Sequence, residues 1–586
     1  MGVRRSAWAL ILFSTMACSS STTTTPPPLD GGLVAGEDGG LVGSADGGMV
    51  GGEDGGRVAG DLCNGVTTRG RCVDANTWQD CVVVTERADP RLVTIACVSG
   101  EACQVNNGKA ECTLTAACRN GDTECTDNGA NVRTCTNNAW VPTTCTGGCV
   151  AVGVSAVCSS GIPTTDVTAR VVYQRRTIND AHAALGDVSE APARGFLVTV
   201  QRGTTVVAST KTSITDGTFT VKLPSALEGT DTVKVVALAE DGNNGVAYFI
   251  ANPGFQAGQR DEATVSGVTA PTVWSFEFPA TALQGGSPVL RITETGHASG
   301  IATVFDRFGV TYRDMQARFG RRGAPIVIWM GAGVAWKCGA CVGDQPSVYF
   351  GTRFTQAMWY PADNDRSYYS DPVIGHEAGH WVMSAYGRSP GEGGGHSVSC
   401  KSFPGLAWSD GFGTWLGNYA AGSPVYFDIQ EGGLFWYDIA ARTYNGNASG
   451  WPMRPTPNDP DLLPSTAPGL LQKLSEGEVT AILWSLSNGV ADPQPILAAL
   501  ATPRMMQPVN VGGVDMFERG YVRHDWDFVQ ATCTDNNVRK LNEPAPILPD
   551  LLDAMMCAGF PRDRMDAATV PTTFYPYPSG TPLCRN

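Results

Sequence analysis

Three residues within five positions, His376, Glu377 and His380, carry the chemistry most legible in this chain. On an α-helix, side chains four apart lie on one face, one turn above the other. Two imidazoles so placed can grip a single metal ion, and a carboxylate beside the first can take a proton from an attacking water. The His-Glu-x-x-His spacing arises by chance about twice in a thousand chains of this composition. The flanking residues supply the helix: Asp371 reads as its N-cap and Pro372 as its first helical position. Metal-assisted hydrolysis is the expectation; an ordinary helix with two half-buried histidines is the bland alternative.

A catalytic zinc takes three protein ligands and keeps a fourth position for water. The segments Pro325–Met330 and Ser347–Gly351 read as strands ahead of the helix, and this arrangement resembles the zincin metallopeptidases. Within that group the metzincin pattern does not fit, because Met383 and Tyr386 stand where a glycine and a third histidine belong. The run Leu406-Ala407-Trp408-Ser409-Asp410-Gly411-Phe412-Gly413-Thr414-Trp415 resembles the segment that carries the glutamate ligand in gluzincins. That resemblance puts Asp410 on the third ligand position. Aspartate is one methylene shorter than glutamate, so the two helices must lie closer together. Gly413 and Gly417, on the Asp410 side of this second helix, would permit that approach, while Phe412, Trp415, Leu416 and Tyr419 form its apolar face. His396, in a glycine-rich loop beyond His380, is the rival third ligand; otherwise it polarises the substrate carbonyl, a task for which His524 is a weaker candidate.

The resemblance implies a zinc-dependent peptidase with His376, His380 and Asp410 on Zn2+, Glu377 as general base and a protein or peptide substrate. Two other readings stand beside it. One is a surface adhesion or scaffold protein whose metal site has decayed, as the shorter aspartate suggests; the other is a zinc hydrolase of a non-peptide amide or ester. Substrate preference and oligomeric state are not written in the sequence.

The rest of the chain positions and exports this region. At 586 residues it holds several domains, and a net charge of −15 argues against a nucleic-acid partner. Met1 to Phe13 reads as a secretory signal, and Thr15-Met16-Ala17-Cys18 resembles a bacterial lipobox. The resemblance implies lipidation of Cys18 and an anchor in the bacterial, by its Ser19 outer, membrane. No other run is long and apolar enough to span a bilayer. A tether follows, with an eight-residue repeat from Asp30 too rich in glycine to fold. Of nineteen cysteines, twelve lie between Cys63 and Cys158 and six from Cys338 onward, even numbers that suit complete pairing in an oxidising compartment.

The twelve divide into two similar six-cysteine runs, with Trp78 and Trp140 at comparable places, read as a disulfide-held stalk of unspecified connectivity. Cys338 and Cys341 read as a small disulfide loop. Phe196–Val200, Phe219–Leu223 and Thr232–Ala237 alternate as strands, with Asp216-Gly217 as a turn between two of them. The run Thr215–Pro224 resembles the signature of carboxypeptidase-regulatory and transthyretin-like sandwiches. The expected fold class is therefore multidomain: signal peptide (1–17), tether (18–62), disulfide-rich module pair (63–158), β-sandwich (165–280) and an α+β zincin-like catalytic domain (285–586).

Overall fold

The computed structural model describes Val66 and residues 70–569, apart from 83–90, 98–99, 107–108, 120, 127–128, 154, 160, 241–244, 391–397, 399–403, 431, 448–474, 508, 512–513 and 517–545. Cys18, the tether, His396 and His524 lie outside the described residues. The described residues form one compact unit.

The two cysteine-rich runs share one plan. Each has a three-stranded antiparallel sheet (Arg71–Asp74, Thr77–Val82, Arg91–Ala96; Thr123–Cys125, Asn131–Thr136, Ala139–Thr144) followed by a hairpin. Cys72–Cys103 and Cys97–Cys112 in the first correspond to Cys125–Cys149 and Cys145–Cys158 in the second, where Cys118–Cys135 is also bonded. Runs this short cannot build a sufficient apolar core, so the cross-links hold them by restricting the unfolded chain. They do not stand off from the body as a stalk. Glu101 of the first module is buried between Arg119 of the second (2.9 Å) and Arg353 of the main sheet (3.1 Å). Arg353 also lies over the ring of Trp78, which is fully buried, whereas its counterpart Trp140 stays partly exposed.

The sandwich that follows consists of two sheets, antiparallel apart from one added strand. Its strands are β1 (Thr164–Arg175), β2 (Ser189–Pro192), β3 (Leu197–Arg202), β4 (Thr205–Lys211), β5 (Thr218–Pro224) and β6 (Asp231–Val236). One sheet is β2-β1-β5, with the strand Val289–Ile292 added parallel to β1; the other is β4-β3-β6, extended by the strand Ser275–Pro279. The Asp216-Gly217 turn leads from β4 to β5, crossing between the sheets, rather than joining the two strands expected from the sequence. Gly217 is required there: its φ is +75°, and a Cβ would lie 2.6 Å from the carbonyl oxygen of Val171. Strand β4, half polar and half-buried, carries too weak an alternation to stand out in the sequence.

The expected boundary near 280 is not where the sheets divide. Strand β7 (Val246–Asn252), within the supposed sandwich, pairs in parallel with β8 (Ile326–Trp329). Strand β8 pairs in parallel with β10 (Thr352–Trp359), and the antiparallel edge strand β9 (Cys341–Tyr349) completes that side. A hydrophobic core runs without a break from Val171 and Phe196 of the sandwich through helix α1 (Ala298–Phe319) to Trp381 and Trp415. Asp306 of α1, fully buried, accepts from the Tyr173 hydroxyl (2.9 Å) and from the Arg194 guanidinium (2.7 and 2.6 Å). Among the described residues no helix is long and apolar enough to cross a membrane.

Candidate metal centre

Helix α2 (Asp371–Tyr386) begins one residue earlier than the sequence suggests. Its N-cap is Ser370, whose hydroxyl accepts from the backbone N–H of Val373, and Pro372 is the second helical residue. Asp371 has another task. Its carboxylate takes Arg175 from β1 (2.9 Å) and Arg307 from α1 (2.5 Å), tying the start of the helix to both neighbours. A negative charge in the first turn also complements the helix dipole.

Helix α3 (Pro404–Ala421) packs on α2 along a row of glycines. A Cβ on Gly379 would lie 2.6 Å from the Cα of Gly413, and one on Gly375 would lie 2.6 Å from the Cα of Gly417. Real Cβ atoms do not come so near, so the backbones touch only because four side chains are missing. A Cβ on Gly413 would also meet the ring of His376, at 3.3 Å from two of its carbons. This close approach meets the condition set by a short aspartate.

His376, His380 and Asp410 converge here, all buried, with ligand atoms within 4.8 Å of one another. The two Nε2 atoms are 3.1 Å apart, and Asp410 Oδ1 lies 3.7 Å from that of His376 and 3.6 Å from that of His380. Donors at tetrahedral angles about 2.0–2.1 Å from one ion are separated by about 3.3–3.4 Å, so the three atoms fit around a metal. The other ring nitrogens point outward to hydroxyls: His376 Nδ1 to Thr414 (2.8 Å) and His380 Nδ1 to Ser409 (3.0 Å). Both hydroxyls sit on α3, one residue before Asp410 and four after it, so one helix supplies the third donor and orients the other two.

The surroundings are strongly negative. Glu377, Asp410 and Glu476 are all buried beside the histidines, with Asp428 close behind. Burial opposes a charge on His376, but the surrounding carboxylates of Asp410, Glu377 and Glu476 outweigh it and push its pKa up to about 9. Burial and then the neighbouring carboxylates raise Tyr360, Tyr426 and Tyr437 well above the usual phenol range. Burial likewise raises Asp428. A pocket with this balance favours a cation at its centre.

Tyr426 and Tyr437, from the hairpin Val425–Gln430 and Gly433–Asp438, stack at 4.7 Å against the site, Tyr426 edge-on to His376 at 6.3 Å. These tyrosines, Thr414, Ser409 and Glu476 were not singled out from the sequence. Thr414 and Ser409 had a local signal in their spacing from Asp410; Glu476 and the tyrosines had none. His396, proposed as rival ligand or catalytic residue, lies outside the described residues. The CxxC pair is a disulfide, Cys338–Cys341, with Glu262 next to it. No protein-family model matches the chain, and no curated protein matches it in sequence.

Proposed function

We propose that this chain is an exported zinc metallopeptidase that hydrolyses peptide bonds, of the gluzincin kind but with aspartate as third ligand. The observation that carries the reading is the convergence of His376, His380 and Asp410 at 3.1–3.7 Å between two glycine-faced helices. Two imidazoles and one carboxylate are a donor set that suits zinc. Zinc held there by His376, His380 and Asp410 would supply a Lewis acid for the scissile carbonyl and would lower the pKa of a water toward neutrality. Glu377, one residue after the first histidine and buried, is the base that takes the proton of that water and returns it to the leaving amine. Thr414 and Ser409 hold the imidazoles so that their Nε2 atoms stay turned inward. Six disulfides described along the chain suit an oxidising compartment. Lipid on Cys18 would anchor the enzyme to the bacterial outer membrane, in an extracellular or periplasmic position.

The test uses the full chain, because a cut near 280 would remove β7 from the sheet and Arg175 from Asp371. Purified wild type is expected to hold about one zinc and to degrade an unfolded protein substrate. His376→Ala and Asp410→Ala lose the zinc; Glu377→Gln keeps it but loses hydrolysis by a factor on the order of 10² or more. A folded wild type that takes up no zinc when supplied with it ends the catalytic reading. Zinc uptake with turnover of esters but not of unfolded protein moves the assignment to a non-peptide hydrolase.

A further inference from the structure

Thr414 has one hydroxyl proton, and Glu476 decides where it goes. The Glu476 carboxylate is buried at the first position of helix α4 (Glu476–Leu486), where the N-terminal dipole favours its charge. It accepts from Thr414 Oγ1 at 2.6 Å, and the Tyr437 hydroxyl reaches the same oxygen at 3.4 Å. An ionised carboxylate can only accept, so the threonine proton is committed to it. Thr414 Oγ1 then has only lone pairs to offer His376 Nδ1, 2.8 Å away, and the contact requires the ring proton to sit on Nδ1. In the neutral ring, the form that a metal ion would require, Nε2 is thereby left as a lone pair facing Asp410 and His380.

We propose that Glu476, acting through Thr414, is a positioning residue that sets the tautomer and orientation of His376 for metal binding. The inference rests on the metal reading above and names a carboxylate 62 residues from Thr414 as part of that site. Its placement is built into the packing. Helix α4 lies against α3 on the side away from α2, where a Cβ on Gly411 would collide with Val479, and the Thr480 hydroxyl bonds to the Gly411 carbonyl at 3.1 Å. The start of α4 is thus fixed directly behind Thr414. A buried glutamate serving only to join helices would not need to meet the hydroxyl that touches the His376 ring.

The test measures Zn2+ affinity of the full chain by competition with a chromogenic chelator, for wild type, Thr414→Ser, Thr414→Val, Glu476→Gln and Glu476→Asp. Thr414→Ser keeps the hydroxyl and should bind within about threefold of wild type, whereas Thr414→Val and Glu476→Gln should lose about 10–100-fold. In the 15N-histidine-labelled, zinc-loaded wild type, a slowly exchanging His376 Nδ1–H resonance is expected, and it should vanish or exchange rapidly in Thr414→Val. If Glu476→Gln does not fold, Glu476→Asp retains the charge while withdrawing it from Thr414, and the same loss is expected. Zinc bound equally well by wild type, Thr414→Val and the glutamate variants overturns this proposal alone, as does a wild-type His376 whose proton is not on Nδ1. No zinc on wild type overturns the metal reading as well.

Discussion

Among the described residues two clusters bring three metal-ligating side chains together, and they differ in which atoms are left facing one another. His376, His380 and Asp410 meet between α2 and α3; Glu262, Cys338 and Cys341 meet at the edge of the main sheet. Both contain a short spacing motif known from metal sites. In the second, the sulfurs are spent on each other in a disulfide, and Glu262 accepts the backbone N–H of Cys338 at 2.6 Å. That carboxylate anchors a loop. In the first, hydroxyls from outside the cluster hold each Nδ1, and the Nε2 atoms and a carboxylate oxygen turn toward one point. Nearness of donor types is therefore a poor guide to a site; what matters is which lone pairs remain after the neighbours have taken theirs.

The comparison breaks most readily at the glycine row. Gly379→Ala should push α2 and α3 apart, at a cost of about 1–3 kcal/mol in stability. This exceeds the roughly 1 kcal/mol that alanine gains over glycine in helix propensity. Zinc affinity should fall by at least about tenfold, and Asp410→Glu in the same background should recover part of it by lengthening the arm. A Gly379→Ala chain with wild-type melting temperature and zinc affinity would show that helix distance does not govern the third ligand. A smaller effect is expected at the other cluster. Cys338→Ser with Cys341→Ser removes a very short loop constraint and should lower stability by about 2 kcal/mol, with the zinc content unchanged. Loss of zinc in that variant would mean that the two clusters are not independent. The smallest change is Glu262→Gln, whose carbonyl still accepts from Cys338; urea unfolding should shift by no more than about 1 kcal/mol. A much larger shift would assign the carboxylate's charge a role beyond anchoring.

Much of the candidate site was legible because its signals are local. Helix α1 was expected over Ile301–Arg318 and runs Ala298–Phe319; the helix expected over Glu478–Leu486 begins at Glu476. The sequence does not single out the Ser370 cap, because Asp371 is an equally good capping residue and only the packing of two arginines on it shows its use. Strand β10 is not marked in the sequence because Thr352–Trp359 has no strict alternation, and its partner strands come from 326–329 and from the edge strand 341–349. The sheet boundary was misplaced for the same reason: a chain can change sheets within a few residues without any change in composition.

The sequence alone determined the spacing that puts two imidazoles on one helical face, the glycines that let a second helix touch it, and the even cysteine sets that duplicate one module. These depend on helical period, missing side chains and covalent pairing, none of which requires knowledge of distant partners. Tertiary structure decided the rest. It brought Asp410 within reach of both histidines, set Glu476 behind Thr414, locked the modules to the sheet through Glu101 and Arg353, and closed the CxxC cluster to metal. Such contacts depend on where whole elements pack, and a hydrogen bond across 62 residues leaves no trace in local spacing.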